Sequence, residues 1–113
     1  ISKKEGKVEG VSPIELLLMA LAGCSSIDII AILNKQKINP TDVKMDVEGD
    51  RIPGLVPSLF NKIKVNVRLE GEIPPDKAKR AVSLSFEKYC SVAKTLEYST
   101  PIKYTVFLNG DKI

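Results

Sequence analysis

The sequence contains no histidine and no tryptophan. Without histidine, Ser-His-Asp and Cys-His catalysis, His-ligated zinc and a histidine pH switch are all excluded. The two cysteines, Cys24 and Cys90, are too few for a zinc-ribbon cluster or a disulfide-rich secreted scaffold. Aromatic residues make up only 5% of the chain, so its core must be aliphatic. Charge of neither sign dominates: 17 Lys and Arg face 14 Asp and Glu, a net charge of +3. That excess is too small and too evenly spread to point to nucleic acid or an anionic membrane. The first ten residues, Ile1 to Gly10, are mostly polar and glycine-containing, with no initiator Met and no signal-peptide layout. The chain is therefore expected to be part of a protein longer at its N-terminus, and cytoplasmic.

What is present is one domain's worth of chain: 113 residues, 43% hydrophobic and 27% charged, in the range of ordinary globular proteins. Ser12-Pro13-Ile14-Glu15 reads as a capping box with Pro in the first helical position, and Val11 and Leu16 occupy the positions of a hydrophobic staple. The helix so opened is predicted to run from Pro13 to about Lys35, roughly 34 Å at 1.5 Å per residue. It is apolar nearly all round, from Leu16 to Leu33, and is expected to be buried on most of its faces. A membrane-spanning reading is disfavoured. The uncharged run from Leu16 to Ile27 is short, and Asp28 follows it at a cost of about 3 kcal/mol near a bilayer centre.

Two alternating segments follow. Val43, Met45 and Val47 alternate with charged residues, and Ile63, Val65, Val67 and Leu69 with Lys62, Lys64, Asn66 and Arg68, predicting an antiparallel hairpin. Its connection is read from the turn residues Gly49-Asp50 and Ile52-Pro53-Gly54 and reaches to Pro57. Pro74-Pro75-Asp76 opens a second helix expected to reach Tyr89 or Cys90, with Ala78, Ala81, Val82, Ser85 and Tyr89 on one face. A short helical turn over Val92 to Leu96 and a strand from Ile102 to Leu108, closed by Asn109-Gly110, complete the pattern. The order helix, strand, strand, helix, strand gives an α+β fold with helices packed on an antiparallel or mixed sheet.

Cys24 lies mid-helix between Ala22-Gly23 and Ser25-Ser26, small residues that leave room for a helix, a ligand or a peroxide beside the sulfur. A free core cysteine in a packing notch is the more ordinary reading, since free cysteine is among the most buried residue types. Cys90 ends the second helix. If that helix packs across the first, the two sulfurs meet, and such a pair needs no histidine: one thiolate attacks and the second thiol resolves the product as a disulfide. Spacing alone leaves this open. Glu15 is accounted for by the capping box. Asp28, the one charge inside the apolar helix, must be hydrogen-bonded, ion-paired or on a wet edge. Arg51 is either a solvated turn residue or a cation facing a site.

The stretch from Ser12 to Asp28, Ser-Pro-Ile-Glu-Leu-Leu-Leu-Met-Ala-Leu-Ala-Gly-Cys-Ser-Ser-Ile-Asp, resembles the signature of the OsmC/Ohr family of osmotically induced and organic hydroperoxide resistance proteins. Lys88-Tyr89-Cys90-Ser91-Val92 resembles its second signature, and the resemblance extends over roughly Gly10 to Asn109. It implies an intertwined homodimer in which two long central helices are wrapped by sheets from both chains. It also implies a thiol-dependent peroxidase for organic hydroperoxides, with Cys24 peroxidatic, Cys90 resolving and a dithiol reductant resetting the pair. No cofactor, metal, nucleic acid or membrane partner is implied.

Two departures accompany the resemblance. Active members carry a carboxylate directly after the Pro of the helix motif, where this chain has Ile14; Glu15, one residue on, lies about 100° around the helix and does not match it. Their activating Arg lies on a strand ahead of the helix, where this chain has no Arg before Arg51, the candidate thiolate-activating residue. The sequence is thereby more similar to the OsmC-like (YhfA-like) branch, and part of the family's N-terminal strands is expected to be missing. A ligand-binding dimer with unused thiols and a redox-sensing disulfide protein are the alternatives.

Overall fold

The computed structural model describes residues 2–4, 7–9, 13–54 and 59–113. The chain begins with an antiparallel pair, β1 (Ser2–Lys4) and β2 (Lys7–Glu9), which the sequence pattern does not predict. Three-residue strands are too short for an alternation to register. Helix α1 then spans Pro13–Lys35 as expected. The capping box of Ser12 and the staple of Val11 lie outside the described residues.

The C-terminus of α1 is closed by a Schellman motif. The Lys37 N–H bonds the Asn34 carbonyl at 2.9 Å and the Ile38 N–H bonds the Leu33 carbonyl at 3.0 Å. Lys37 itself takes the left-handed conformation, φ 61°, that glycine usually supplies here.

Strands β3 (Asp42–Arg51) and β4 (Phe60–Glu70) form the predicted antiparallel hairpin, with Val43 opposite Leu69, Met45 opposite Val67 and Val47 opposite Val65. Ile63, Val65, Val67 and Leu69 are all buried and form the centre of the core. The opposite face is solvated: Arg68 binds Asp46 at 2.9 Å and lies 4.6 Å above the Phe107 ring. Gly49-Asp50-Arg51 is not the start of a turn, because these residues are still paired in β3, with a register irregularity between Asp50 and Arg51. Gly49 is required by close approach: the Phe60 ring occupies the space that a Cβ would need. The predicted loop to Pro57 falls partly outside the described residues.

Helix α2 (Pro75–Leu84), a π-helical turn (Ser85–Tyr89) and helix α3 (Ser91–Leu96) carry the chain across to β5 (Ile102–Leu108). Strand β5 pairs in parallel with β4, and a hairpin returns β6 (Asp111–Lys112) to its edge. The order β3-β4-β5-β6 makes a mixed sheet. Asn109 (φ 50°) and Gly110 (φ 89°) are both left-handed, as the tight Asn-Gly hairpin turn demands. The Asn109 amide also binds the Gly71 backbone through both its groups at 3.0 Å, tying this turn to the end of β4.

Contrary to the sequence expectation, α1 is buried along one face only within the chain. Leu21, Ser25, Ile29 and Leu33 are buried, four residues apart and so on a single stripe. Leu16, Leu17, Met19, Ile27 and Ile30 are exposed, Ile27 at 70%. By length and composition α1 passes for a membrane span, but its buried stripe belongs to the core with β4, α2 and the π turn.

Candidate active site

Four features of the sequence bring α1 and the π turn together. Ser25 is buried in α1 and turns its hydroxyl back to the Leu21 carbonyl at 2.7 Å, so it adds little bulk to that face. Its own carbonyl accepts the Ser85 hydroxyl at 3.3 Å. Ala78 and Ala81 leave α2 thin on the side facing the core. Phe86 is buried and stacks on Tyr104 of β5, with centroids 4.9 Å apart, anchoring the turn from the other side.

The π turn sets the position of Cys90. Its N–H bonds the Ser85 carbonyl at 2.7 Å, five residues back, so one residue more than in an α-turn is accommodated. An extra residue rotates everything after it by about 100° relative to an unbroken helix. Tyr89, expected on the buried face, is accordingly 53% exposed, while Phe86 and Cys90 point inward. The helix breaks at Cys90 (φ −74°, ψ 105°), which becomes the N-cap of α3 and accepts the Ala93 N–H on its sulfur at 3.4 Å.

The two sulfurs and a carboxylate oxygen of Asp28 lie within 4.8 Å of one another. Both thiols are free. Cys24 is half-buried, with its sulfur 3.8 Å from the Ser91 hydroxyl, and Cys90 is fully buried. Asp28 sits one helical turn after Cys24, hence on the same face. Asp28 as a whole is half-buried, but its Oδ2 is buried and accepts no hydrogen bond from the described residues.

The thiols differ in acidity. Burial pushes the Cys24 thiol up, but the Val92 N–H, the Cys90 thiol, and the Ser91 hydroxyl and N–H together outweigh it, and the net shift is downward. These donors favour the thiolate. Burial pushes Cys90 up to about 11, only partly offset by the Ala93 N–H and reinforced by Cys24 beside it. One sulfur is thus disposed to lose its proton and the other to keep it.

The first turn of α3 is the part of the site that sequence reasoning missed. Ser91 and Val92 follow Cys90 directly, and only the break at Cys90 turns their N–H groups toward Cys24. Asp28 was singled out for its charge; its spacing from Cys24 was the available signal. Arg51 is not brought to the thiols within the chain. It lines a groove of about 550 Å³ with Glu15, Met19, Glu48 and Phe60, and Glu15 is nine residues, roughly 13 Å along the helix axis, from Cys24. Two smaller clefts flank the thiols. One of about 240 Å³ is lined by Leu17, Ala20, Ser91, Val92, Thr95 and Leu96. The other, about 210 Å³, is lined by Asp28, Ala31, Ile32, Lys35 and Tyr89.

A family model described as OsmC-like protein matches residues 4–105. The chain belongs to the OsmC-like family. Protein YhfA of Escherichia coli (strain K12) is 40% identical over 95 residues, covering 83% of this chain and 70% of that protein. The crystal structure of a hypothetical protein from Aquifex aeolicus VF5 superposes with a TM-score of 0.80 at 30% identity, over 91% of this chain and 79% of that one. The organic hydroperoxide resistance protein OhrB of Bacillus subtilis shares the fold, with a TM-score of 0.68 at 17% identity over 90% of this chain and 73% of that one. The α+β OsmC-like fold is therefore that of the family.

Proposed function

We propose that this OsmC-like protein is a cytoplasmic homodimeric thiol peroxidase that reduces organic hydroperoxides. The observation that carries the reading is the juxtaposition of two free thiols whose acidities are pushed in opposite directions. The Cys24 thiolate attacks the distal oxygen of the hydroperoxide. The O–O bond breaks, an S–O bond forms, and the alcohol leaves after taking up a proton. Cys24 is then a sulfenic acid. The Cys90 sulfur attacks the Cys24 sulfur, its proton leaves with the hydroxyl as water, and a disulfide forms. A dithiol reductant exchanges with that disulfide, restoring both thiols and becoming oxidised itself.

The sulfurs need only a small approach, from within 4.8 Å to a bond of about 2.05 Å. The cleft bordered by Leu17, Ala20, Val92 and Leu96 adjoins the donors of Cys24 and suits the apolar body of an organic hydroperoxide. The fold shared with OhrB, named as a hydroperoxide resistance protein, supports the same reading. Free thiols are at home in a reducing cytoplasm.

The α3 N–H groups take over part of the task that the family assigns to a cation. Within one chain Arg51 lines a separate groove, so activation by it requires that the homodimer bring the Arg51 of one copy to the thiols of the other. The exposed apolar face of α1, with Leu16, Leu17, Met19, Ile27 and Ile30, supports a second copy as the partner. The test is consumption of cumene hydroperoxide with a dithiol as electron donor. Wild type is expected to turn over many times, Cys24→Ser not at all, and Cys90→Ser to stop at a trappable sulfenic acid. A disulfide that forms once without turnover would instead identify a redox sensor.

A further inference from the structure

Asp28 has no place in the peroxidase steps above, yet it shares their site. A carboxylate oxygen buried without a donor is costly, and such groups in native proteins are met by a partner. Here the orphaned Oδ2 belongs to a side chain whose carboxylate stands within 4.8 Å of two sulfurs. The Lys35 side chain lines the cleft next to Asp28, but Oδ2 accepts from no described donor. A cation that displaces the two thiol protons would meet two sulfurs and a carboxylate oxygen in one partly buried place. That donor set is complementary to a cation.

We propose that Cys24, Cys90 and Asp28 form a three-ligand site for a thiophilic divalent cation of the zinc class. Metal–sulfur distances of about 2.3 Å and metal–oxygen distances of about 2.0–2.2 Å place tetrahedral ligand atoms about 3.5–3.8 Å apart. The observed spacing reaches this with a contraction of about 1 Å, within reach of small side-chain rotations. Two sulfur ligands select zinc, cobalt or cadmium over magnesium or calcium. The N–H groups of Ser91, Val92 and Ala93, which already serve the two sulfurs, supply the outer hydrogen bonds that hold such ligands. The fourth position falls to water or a small ligand, and the cleft lined by Asp28, Ala31, Ile32 and Tyr89 gives access to it.

This site goes beyond the peroxidase reading and does not depend on turnover. It uses both sulfurs, so metal binding and disulfide formation exclude each other. A bound cation would hold the thiols reduced and silent toward peroxide.

The test uses the reduced, metal-free protein, with a phosphine in place of a thiol reductant, titrated with Co²⁺. We expect a thiolate-to-cobalt charge-transfer band and tetrahedral visible bands that saturate at one ion per chain. Asp28→Asn should weaken binding at least roughly tenfold, since even outer partners of metal ligands cost that much. Cys24→Ser and Cys90→Ser should each lose about half of the charge-transfer intensity. Absence of the band at stoichiometric Co²⁺ would overturn the site, as would Asp28→Asn binding as tightly as wild type. Should a variant not fold by circular dichroism, the wild type alone decides: Zn²⁺ must protect both thiols from iodoacetamide, and unchanged alkylation of either overturns the proposal. Peroxide turnover is measured separately, in chelator, so that failure of one reading leaves the other standing or falling on its own readout.

Discussion

Cys24 and Cys90 are the same side chain on two kinds of backbone. Cys24 rides on an uninterrupted helix of 23 residues and receives its donors from elsewhere, from the Cys90 thiol and the first turn of α3. Cys90 stands where a π-helical turn breaks off, fully buried, with the Ala93 and Val92 N–H groups on its sulfur too few to offset the burial. The regular segment carries the acidic thiol and the irregular one the reluctant thiol. Acidity here follows from which N–H groups point at a sulfur and how much water it has lost, more than from its position on its own helix. The dipole of α1 contributes little to a residue so far from either end.

The contrast is broken most completely by adding a residue that the turn cannot absorb. Inserting an alanine between Tyr89 and Cys90 turns Cys90 away by about 100°. Oxidant should then form no intramolecular disulfide, as read by mass spectrometry of non-reduced peptides, while Cys24 remains alkylatable. Next in size is the anchor of the turn. Phe86→Ala should cost about 3–5 kcal/mol of stability in a denaturant titration, as buried aromatic truncations do. Tyr89→Ala, three positions on but exposed, should stay within about 0.5 kcal/mol.

The difference in acidity is sharpened by pH. The thiolate is the reactive form, so alkylation of Cys24 should reach half its maximal rate below the ordinary thiol range, and Cys90 should stay inert until pH approaches 11. Cys90 favours the folded chain while it holds its proton. That contribution is complete below the unfolded thiol value and is lost as pH rises through about 11. The denaturation midpoint should therefore fall over that window in wild type, and less in Cys90→Ala. The smallest effect is expected from Ser91→Ala, which removes one hydroxyl at 3.8 Å and leaves the backbone donors in place. Alkylation of Cys24 at neutral pH should slow only a few-fold, in line with a weak net hydrogen bond of about 1 kcal/mol.

Much of the fold could be read before any coordinates. Pro13 and Lys35 bound α1 as predicted, the start because a Pro behind a capping residue fits only the first turn of a helix. The alternation Ile63-Val65-Val67-Leu69 identified β4 because one of its faces is core and the other water. Strand β5 was legible too, although its parallel pairing with β4 was not, since pairing is a tertiary property. The π turn was invisible: Ser85 to Tyr89 have ordinary helical propensities, and what selects the wider turn is the stacking of Phe86 on Tyr104 and the Ser85–Ser25 contact. The site was half legible. Both cysteines stood out, but the donors of Cys24 arise from a backbone break that no local pattern announces.

The sulfur of Cys90 has a second duty as the acceptor that opens α3. Drawn toward Cys24 in a disulfide, it would let go of the Ala93 amide, and α3, six residues long, would be left to start from the Cys90 carbonyl on the Lys94 N–H. Its first turn also faces the apolar cleft through Ser91 and Val92. Oxidation would then be felt as slackening of one wall of that cleft, so that a spent molecule grips its alcohol product less firmly than a fresh one grips its peroxide.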